Sequence, residues 1–326
     1  GGDGGNITVD GPTSTSAGQQ QSFAVNATDV YGNLVAGENI SATARDGISL
    51  SNTTVTTDGS GVATFTVTGK TGGDYEIEFS DETGEFTGIA NLTVDPDSDG
   101  LSGGDGGTVS AVTPPKAAAG QTGVIELNVT DQFGNLLPNE TVIVATTDGL
   151  GGLVTSTATT SNSSGVASFE FSETTAGDYE VAFADNTFGD PTNLPGESIR
   201  GTVTVTVSND PAGVSGGTGG EITITTTQVS YDRGRIAVTA TDQYGNPVAG
   251  ETLSVGNNSK IGDPDLKAET NADGVAAITF TETTAGDYSL TVADDSGEIT
   301  DTATVEIAPH SKGVSGGDGG NITVDG

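Results

Sequence analysis

Three stretches decide how this chain folds: ATDVYGNLVAGENISATA at 27–44, VTDQFGNLLPNETVIVAT at 129–146 and ATDQYGNPVAGETLSVGN at 240–257. They are one segment written three times. A second block follows each copy: TTDGSGVATFTVTGKTGGDYEIEF from Thr56, TSNSSGVASFEFSETTAGDYEVAF from Thr160 and ETNADGVAAITFTETTAGDYSLTV from Glu269. Each copy then closes on an alternating run, GIANLTVD, GTVTVTVS or DTATVEIA. Self-similarity at a steady period marks an array of like units. Between the units stand Gly-rich octets at 100–107, 213–220 and 313–320, beginning 113 and 100 residues apart, the size of one small β-sandwich. The spacing predicts domains over 1–99, 108–212 and 221–312, joined by those octets. Residues 313–326 then form a linker and the first strand of a next repeat. The middle unit is longer because of an insertion at 185–200, DNTFGDPTNLPGESIR, whose Pro and Gly mark a surface loop. GGDGGNITVDG occupies both 1–11 and 316–326, which reads as one full period of a three-domain repeat plus the opening of another.

Within a unit the pattern is β throughout. FAVNATD, IELNVTD and IAVTATD alternate apolar and polar residues, so one face is buried and the other wet. Helical periodicity is absent, and the expected fold is all-β, three tandem antiparallel sandwiches in an elongated array. Gly32, Gly134 and Gly245 can take positive φ without steric cost and turn the chain. The aromatic before each, Tyr31, Phe133 or Tyr244, is expected to pack over its sandwich end as a structural anchor. Tyr75, Tyr179 and Tyr288, in Gly-Asp-Tyr, sit where a tyrosine corner would bury its ring and hydrogen-bond upstream backbone.

The succession D-x-[YF]-G-N-x-[VL]-x-x-E, then T-x-x-x-G-V-A-x-[FI]-x-[VF], then A-G-D-Y resembles the bacterial Ig-like domain of group 1, the module of intimin and invasin stalks. The resemblance covers all three units. It implies an Ig-like sandwich serving as a rigid spacer on a surface protein, and it brings over no receptor site.

Composition excludes several classes. Forty-five acidic residues against nine Lys and Arg leave a formal charge of −36, which repels nucleic acid and anionic membranes. At molar salt the Debye length falls to about 3 Å and the self-repulsion is screened, so the balance suits a halophile, archaeal or bacterial. There is no Cys, hence no disulfide and no thiolate metal site. Sequons at Asn6, Asn26, Asn39, Asn52, Asn91, Asn128, Asn139, Asn162, Asn257 and Asn321 point to an exported glycoprotein on the cell surface. No stretch in the sequence is long and apolar enough to span a bilayer.

Chemistry is poorly represented. Ser102, Ser215 and Ser315 satisfy G-x-S-x-G, yet the single His, His310, lies in a linker and no strand-turn-helix context is in sight. The chain is therefore not expected to be an enzyme. Asp95, Asp97 and Asp99 alternate in DPDSDG and could wrap a hard cation, with calcium the one candidate cofactor. The bidentate Glu of such loops is replaced by Gly106, and a solvated acidic linker is the competing reading.

The leading expectation is a segment of an extracellular stalk or filament. Strands of eight to ten residues at about 3.3 Å each make a unit about 30 Å long and three units about 100 Å. Its partners would be further copies head to tail, either in one chain or as subunits exchanging the duplicated terminal strand. A second reading is an adhesin module that binds a glycan or cell through sandwich-end loops, with 185–200 and Phe188 the best candidate.

Overall fold

The computed structural model describes residues 4–102, 106–145, 158–185, 199–215, 219–229, 233–256 and 267–309. Among these, the regular structure is strand, apart from short 3-10 turns at Gly100–Ser102 and Gly213–Ser215. The chain divides into two compact units, one of residues 1–115, 124–170 and 180–204, the other of 116–123, 171–179 and 205–326.

In the first unit lies module one, whose strands form two sheets. One runs Asn6–Asp10, Gln20–Thr28, Val62–Gly69, Ile48–Leu50 in spatial order; the other runs Ser14–Ser16, Thr87–Asp95, Gly73–Asp81, Asn39–Ala44, Thr54–Thr56. Pairing is antiparallel except where Ser14–Ser16 crosses to the second sheet and lies parallel to Thr93–Asp95. Period-two alternation sends Phe23, Val25 and Ala27 inward from a single strand. They meet Phe65 and Phe79, whose ring centroids are 5.1 Å apart, together with Ile40, Ile77 and Leu92. Each such side chain contributes about 1.5–3 kcal/mol by leaving water, and this shared core holds the two sheets face to face.

Module two repeats the plan, with sheets of Thr108–Ala111, Thr122–Thr130, Val166–Ser172 and of Lys116–Ala118, Ile199–Ser208, Gly177–Asp185, Thr141–Ala145, Ala158–Thr160. Phe169 and Phe183 meet in its interior with ring centroids 5.3 Å apart and planes tilted by 43°. Module three, in the second unit, departs in one respect. Its first strand, Glu221–Val229, stays on one sheet for nine residues beside Arg233–Thr241, with a bulge between Ile224 and Thr226, instead of crossing over. The other sheet runs Lys267–Glu269, Thr252–Gly256, Gly286–Ala293, Thr300–Ile307.

The three Gly-Asp-Tyr hydroxyls donate to backbone four residues upstream: Tyr75 to the Thr71 carbonyl at 2.8 Å, Tyr179 to Thr175 at 2.7 Å and Tyr288 to Thr284 at 2.8 Å. Tyr288 is buried, while Tyr75 and Tyr179 are half-buried. The rings thus brace the turn that opens the strand as much as they fill the core.

Candidate functional site

The Asp-x-aromatic-Gly-Asn turn is built from its own sequence. Asp131 Oδ1 accepts the peptide N–H of Phe133 and of Asn135, both at 2.8 Å, while Asn135 Nδ2 donates to Asp131 Oδ2 at 2.8 Å. Gly134, at φ +87°, takes the left-handed step that closes the turn. The same bonds at 2.9–3.1 Å form the turns Asp29–Asn33 and Asp242–Asn246.

What the closed turn presents is a clamp for the preceding module. In the first unit, Asn135 Nδ2 donates to the Lys70 carbonyl at 2.9 Å and its Oδ1 accepts the Gly72 N–H at 2.7 Å. Asp131 Oδ2 also accepts the Asp97 N–H at 2.8 Å, and Gln132 Nε2 donates to Asp97 Oδ2 at 2.6 Å. Phe133 lies against the core of module one, directly over Gly18, where a Cβ would come within 2.5 Å of the ring. The Lys70 ammonium stands 5.8 Å from the ring centroid, within cation–π range.

The second unit repeats the hydrogen bonds of this clamp one for one, with Thr174 in place of Lys70. Asn246 bridges the Thr174 carbonyl and the Ala176 N–H at 2.8 and 2.7 Å. Asp242 Oδ2 accepts the Asp210 N–H at 2.9 Å, and Gln243 reaches Asp210 at 2.6 Å. Tyr244 covers Gly120, where a side chain would collide with the phenol oxygen. Burial alone would raise the carboxyl pKa of Asp131 and Asp242. The peptide N–H groups of Asp97 or Asp210 and the bonds from Asn135 or Asn246 outweigh it, leaving both below the ordinary value.

A plug accompanies each clamp. Gly100 and Gly213, at φ near +60°, turn the octets so that Leu101 and Val214 point inward, and both are wholly inaccessible to solvent. The Leu101 and Val214 N–H groups donate to the carboxylates of Glu140 and Glu251. Burial, together with Asp185 beside Glu140 and Asp294 beside Glu251, holds both glutamates above their ordinary pKa against those bonds. Asp185 is paired with Arg200 at 2.8 Å. The octets are therefore docked into the sandwiches at these points, and Ser102 donates its hydroxyl to the Asp99 carbonyl at 3.2 Å.

These contacts place the residues singled out in the sequence. Phe133 and Tyr244 cover the end of the preceding sandwich rather than their own, and Tyr31, expected to pack likewise, is 86% exposed. Of the aspartate triplet, Asp97 is buried with its carboxylate taken by Gln132 and the Asp99 N–H, whereas Asp95 and Asp99 face solvent. No three acidic or imidazole side chains converge as cation ligands among the described residues. The sequon residues Asn6, Asn39, Asn52, Asn91, Asn139 and Asn162 are exposed, and Asn26 and Asn128 half-buried on strands. Asn257, Asn321, the insertion residues 186–198 and residues 310–326 lie outside the described residues.

The sequence reading missed the clamp residues Asp131, Gln132, Asn135 and their counterparts, and the plugs Leu101 and Val214. Their signal was the threefold recurrence of D-x-[YF]-G-N and of G-[LV]-S, which marks positions under one constraint without saying what they touch.

Paired sheets over a shared core, repeated along the chain, define the protein as a tandem of Ig-like sandwiches. Residues 231–308, the third module, match the family model of the bacterial Ig-like domain (group 1), a structural and binding module rather than an enzyme. A search of curated proteins gave no match. Among solved structures, the chain is similar to the Escherichia coli adhesin FdeC, at 18% identity over 93% of this chain and 96% of that one, with TM-score 0.48. It is also similar to InvD of Yersinia pseudotuberculosis, at 17% over 94% and 98% with TM-score 0.45. For invasin, a bacterial integrin-binding protein, the figures are 20% over 93% and 60% with TM-score 0.44. No helix among the described residues is long and apolar enough to cross a membrane.

Proposed function

We propose that the chain is a spacer segment of an extracellular stalk or filament, in which each sandwich transmits load and orientation to the next through a pinned joint. The observation that carries this is the clamp, found with equivalent partners in both units: an Asn bridging a turn of the preceding module, an Asp–Gln pair on the aspartate three residues before the octet and an aromatic ring over a glycine. A joint meant to flex would leave these polar groups to water. A flexible Gly-rich linker would not bury Leu101. The acid excess fits a medium of high salt, where a surface of charge −36 is screened.

The strand arrangement favours one continuous polypeptide over strand exchange between subunits. Asn6–Asp10 already pairs with Ala24–Thr28, so module one's acceptor edge is filled by its own strand.

The test is a distance measurement between spin labels on modules one and two. A narrow distribution is expected for the wild type, and a broad one for the double substitution Asp131→Ala, Asn135→Ala. Equal widths would overturn the pinned-joint reading.

A further inference from the structure

Module one carries the same head as modules two and three, with a different outcome. Its first strand sets Ile7 opposite Ala27, as Val109 stands opposite Val129 and Ile222 opposite Ala240. In module three this apolar floor belongs to one cluster with Val214. Leu101 occupies the corresponding place in module two, against Gly107, whose N–H donates to the Leu101 carbonyl at 2.8 Å. In module one the recess is open. It is a cavity of about 280 Å³ lined by Ile7, Ala27, Val30, Val35, Ile40 and Phe86, with Glu38 and Asp81 at its side. Water occupies about 30 Å³ per molecule, so the space is side-chain sized and far larger than an ordinary packing defect.

Glu38 holds the repeat position of Glu140 and Glu251, the two carboxylates that accept a plug's N–H. Beside the recess, Val30 is 53% exposed and Tyr31 more so, although the equivalent Phe133 and Tyr244 cover a neighbouring module. Asn33 donates to Asp29 within its own turn, as Asn135 does to Asp131. Module one therefore presents both halves of a socket, recess and clamp.

We propose that this socket receives the Gly-Val-Ser segment of another copy of the repeat, residues 313–315, with Val314 filling the recess and its N–H donated to Glu38. The segment matches Gly100-Leu101-Ser102 and Gly213-Val214-Ser215 in sequence and in its distance ahead of an Asn-Ile-Thr or equivalent first strand. Its surroundings complement the acidic rim: PHSKGVS, 309–315, carries Lys312 and no acid. Val30 stands where the other sockets have Gln132 and Gln243, and His310 stands where the other tails have Asp97 and Asp210. This junction thus replaces the Gln–Asp pair of the other two on both sides at once, with Val30 facing the position of His310. The proposal rests on the head-to-tail reading above and names the surface that would serve it.

The test uses a chain in which residues 1–315 run directly into a second copy, 1–326, read by amide hydrogen exchange. The Leu101 and Val214 amides are the internal standards. Val314 ahead of the second copy is expected to exchange at least about 100-fold more slowly than in the single 326-residue chain, as a buried, donated N–H does. Val314→Asp in the tandem chain should abolish that protection while Leu101 and Val214 keep theirs, and Glu38→Gln should reduce it. Protection in the single chain that grows with concentration would assign the plug to separate molecules and would equally support the socket. Fast exchange at Val314 in the tandem chain, with Leu101 and Val214 protected, would overturn the proposal. That result would leave the spin-label widths untouched, so the stalk reading stands or falls separately.

Discussion

The turns Asp29–Asn33 and Asp131–Asn135 have the same internal hydrogen bonds and opposite surroundings. In the second, Asp131 is 2% exposed and Asn135 joins two backbone groups of module one; in the first, Tyr31 and Asn33 face solvent. The difference shows that the turn is folded by its own sequence and put to use by its neighbour. Asp29 satisfies Tyr31 and Asn33 N–H whether or not anything docks, so the clamp is formed in advance and loses little entropy when a module seats on it.

Four substitutions or titrations break or sharpen that contrast. The largest effect belongs to the plug. Leu101→Ala should destabilise module two by about 2–4 kcal/mol in denaturant unfolding, the cost of a buried Leu deletion and its cavity. Val30→Ala in the open recess should change stability far less, because that side chain is half in water. Next comes the clamp: Asn135→Ala should cost about 1 kcal/mol, since it removes the bonds to the exposed Gly72 N–H and Lys70 carbonyl and leaves these to water, whereas Asn33→Ala should leave the melting temperature close to that of wild type. A comparable loss from both would mean that the Asn serves only its own turn.

Gly18→Ala should cost about 1–2 kcal/mol through its φ of +81° and its collision with Phe133. Gly18→Ala combined with Phe133→Ala should recover the steric part and keep the backbone part, which a double-mutant cycle by thermal unfolding separates.

The smallest effect is the acid limb. Asp131 and Asp242 have folded pKa values below the ordinary one, so the stability they contribute is complete above about pH 4 and is lost as pH falls through the depressed values. Glu140 and Glu251 are raised and act in the opposite sense: they favour the folded state most below their ordinary pKa, and that contribution fades as pH rises through the raised values. Denaturant midpoints between pH 2.5 and 6 should show the first trend flattened in Asp131→Asn. An unchanged acid limb in that variant would mean that Asp131 is not a pinning carboxylate.

Much of the fold was legible because its causes are local. Period-two alternation in FAVNATD fixes which residues face the core, and Gly134 and Gly245 supply a turn that no other residue makes without strain. The joints were less legible. Phe133 reads as an aromatic beside a turn, and nothing in QFGN says whether the ring covers its own sandwich or the one before it, since both present apolar ends. The aspartates of DPDSDG illustrate the same limit. Their spacing suits a cation loop, yet Asp97 faces Gln132, a residue 35 positions away, and that proximity exists only once both modules are folded.

The sequence by itself determined three β modules, their turns and the positions under common constraint, because alternation, glycine and repetition act over a few residues at a time. Only the tertiary structure decided that Leu101 and Val214 of the first two octets are plugs and that the turns Asp131–Asn135 and Asp242–Asn246 are clamps. Burial of Leu101 and the bridging by Asn135 depend on surfaces brought together from distant parts of the chain, and no local rule encodes which surface a side chain will meet.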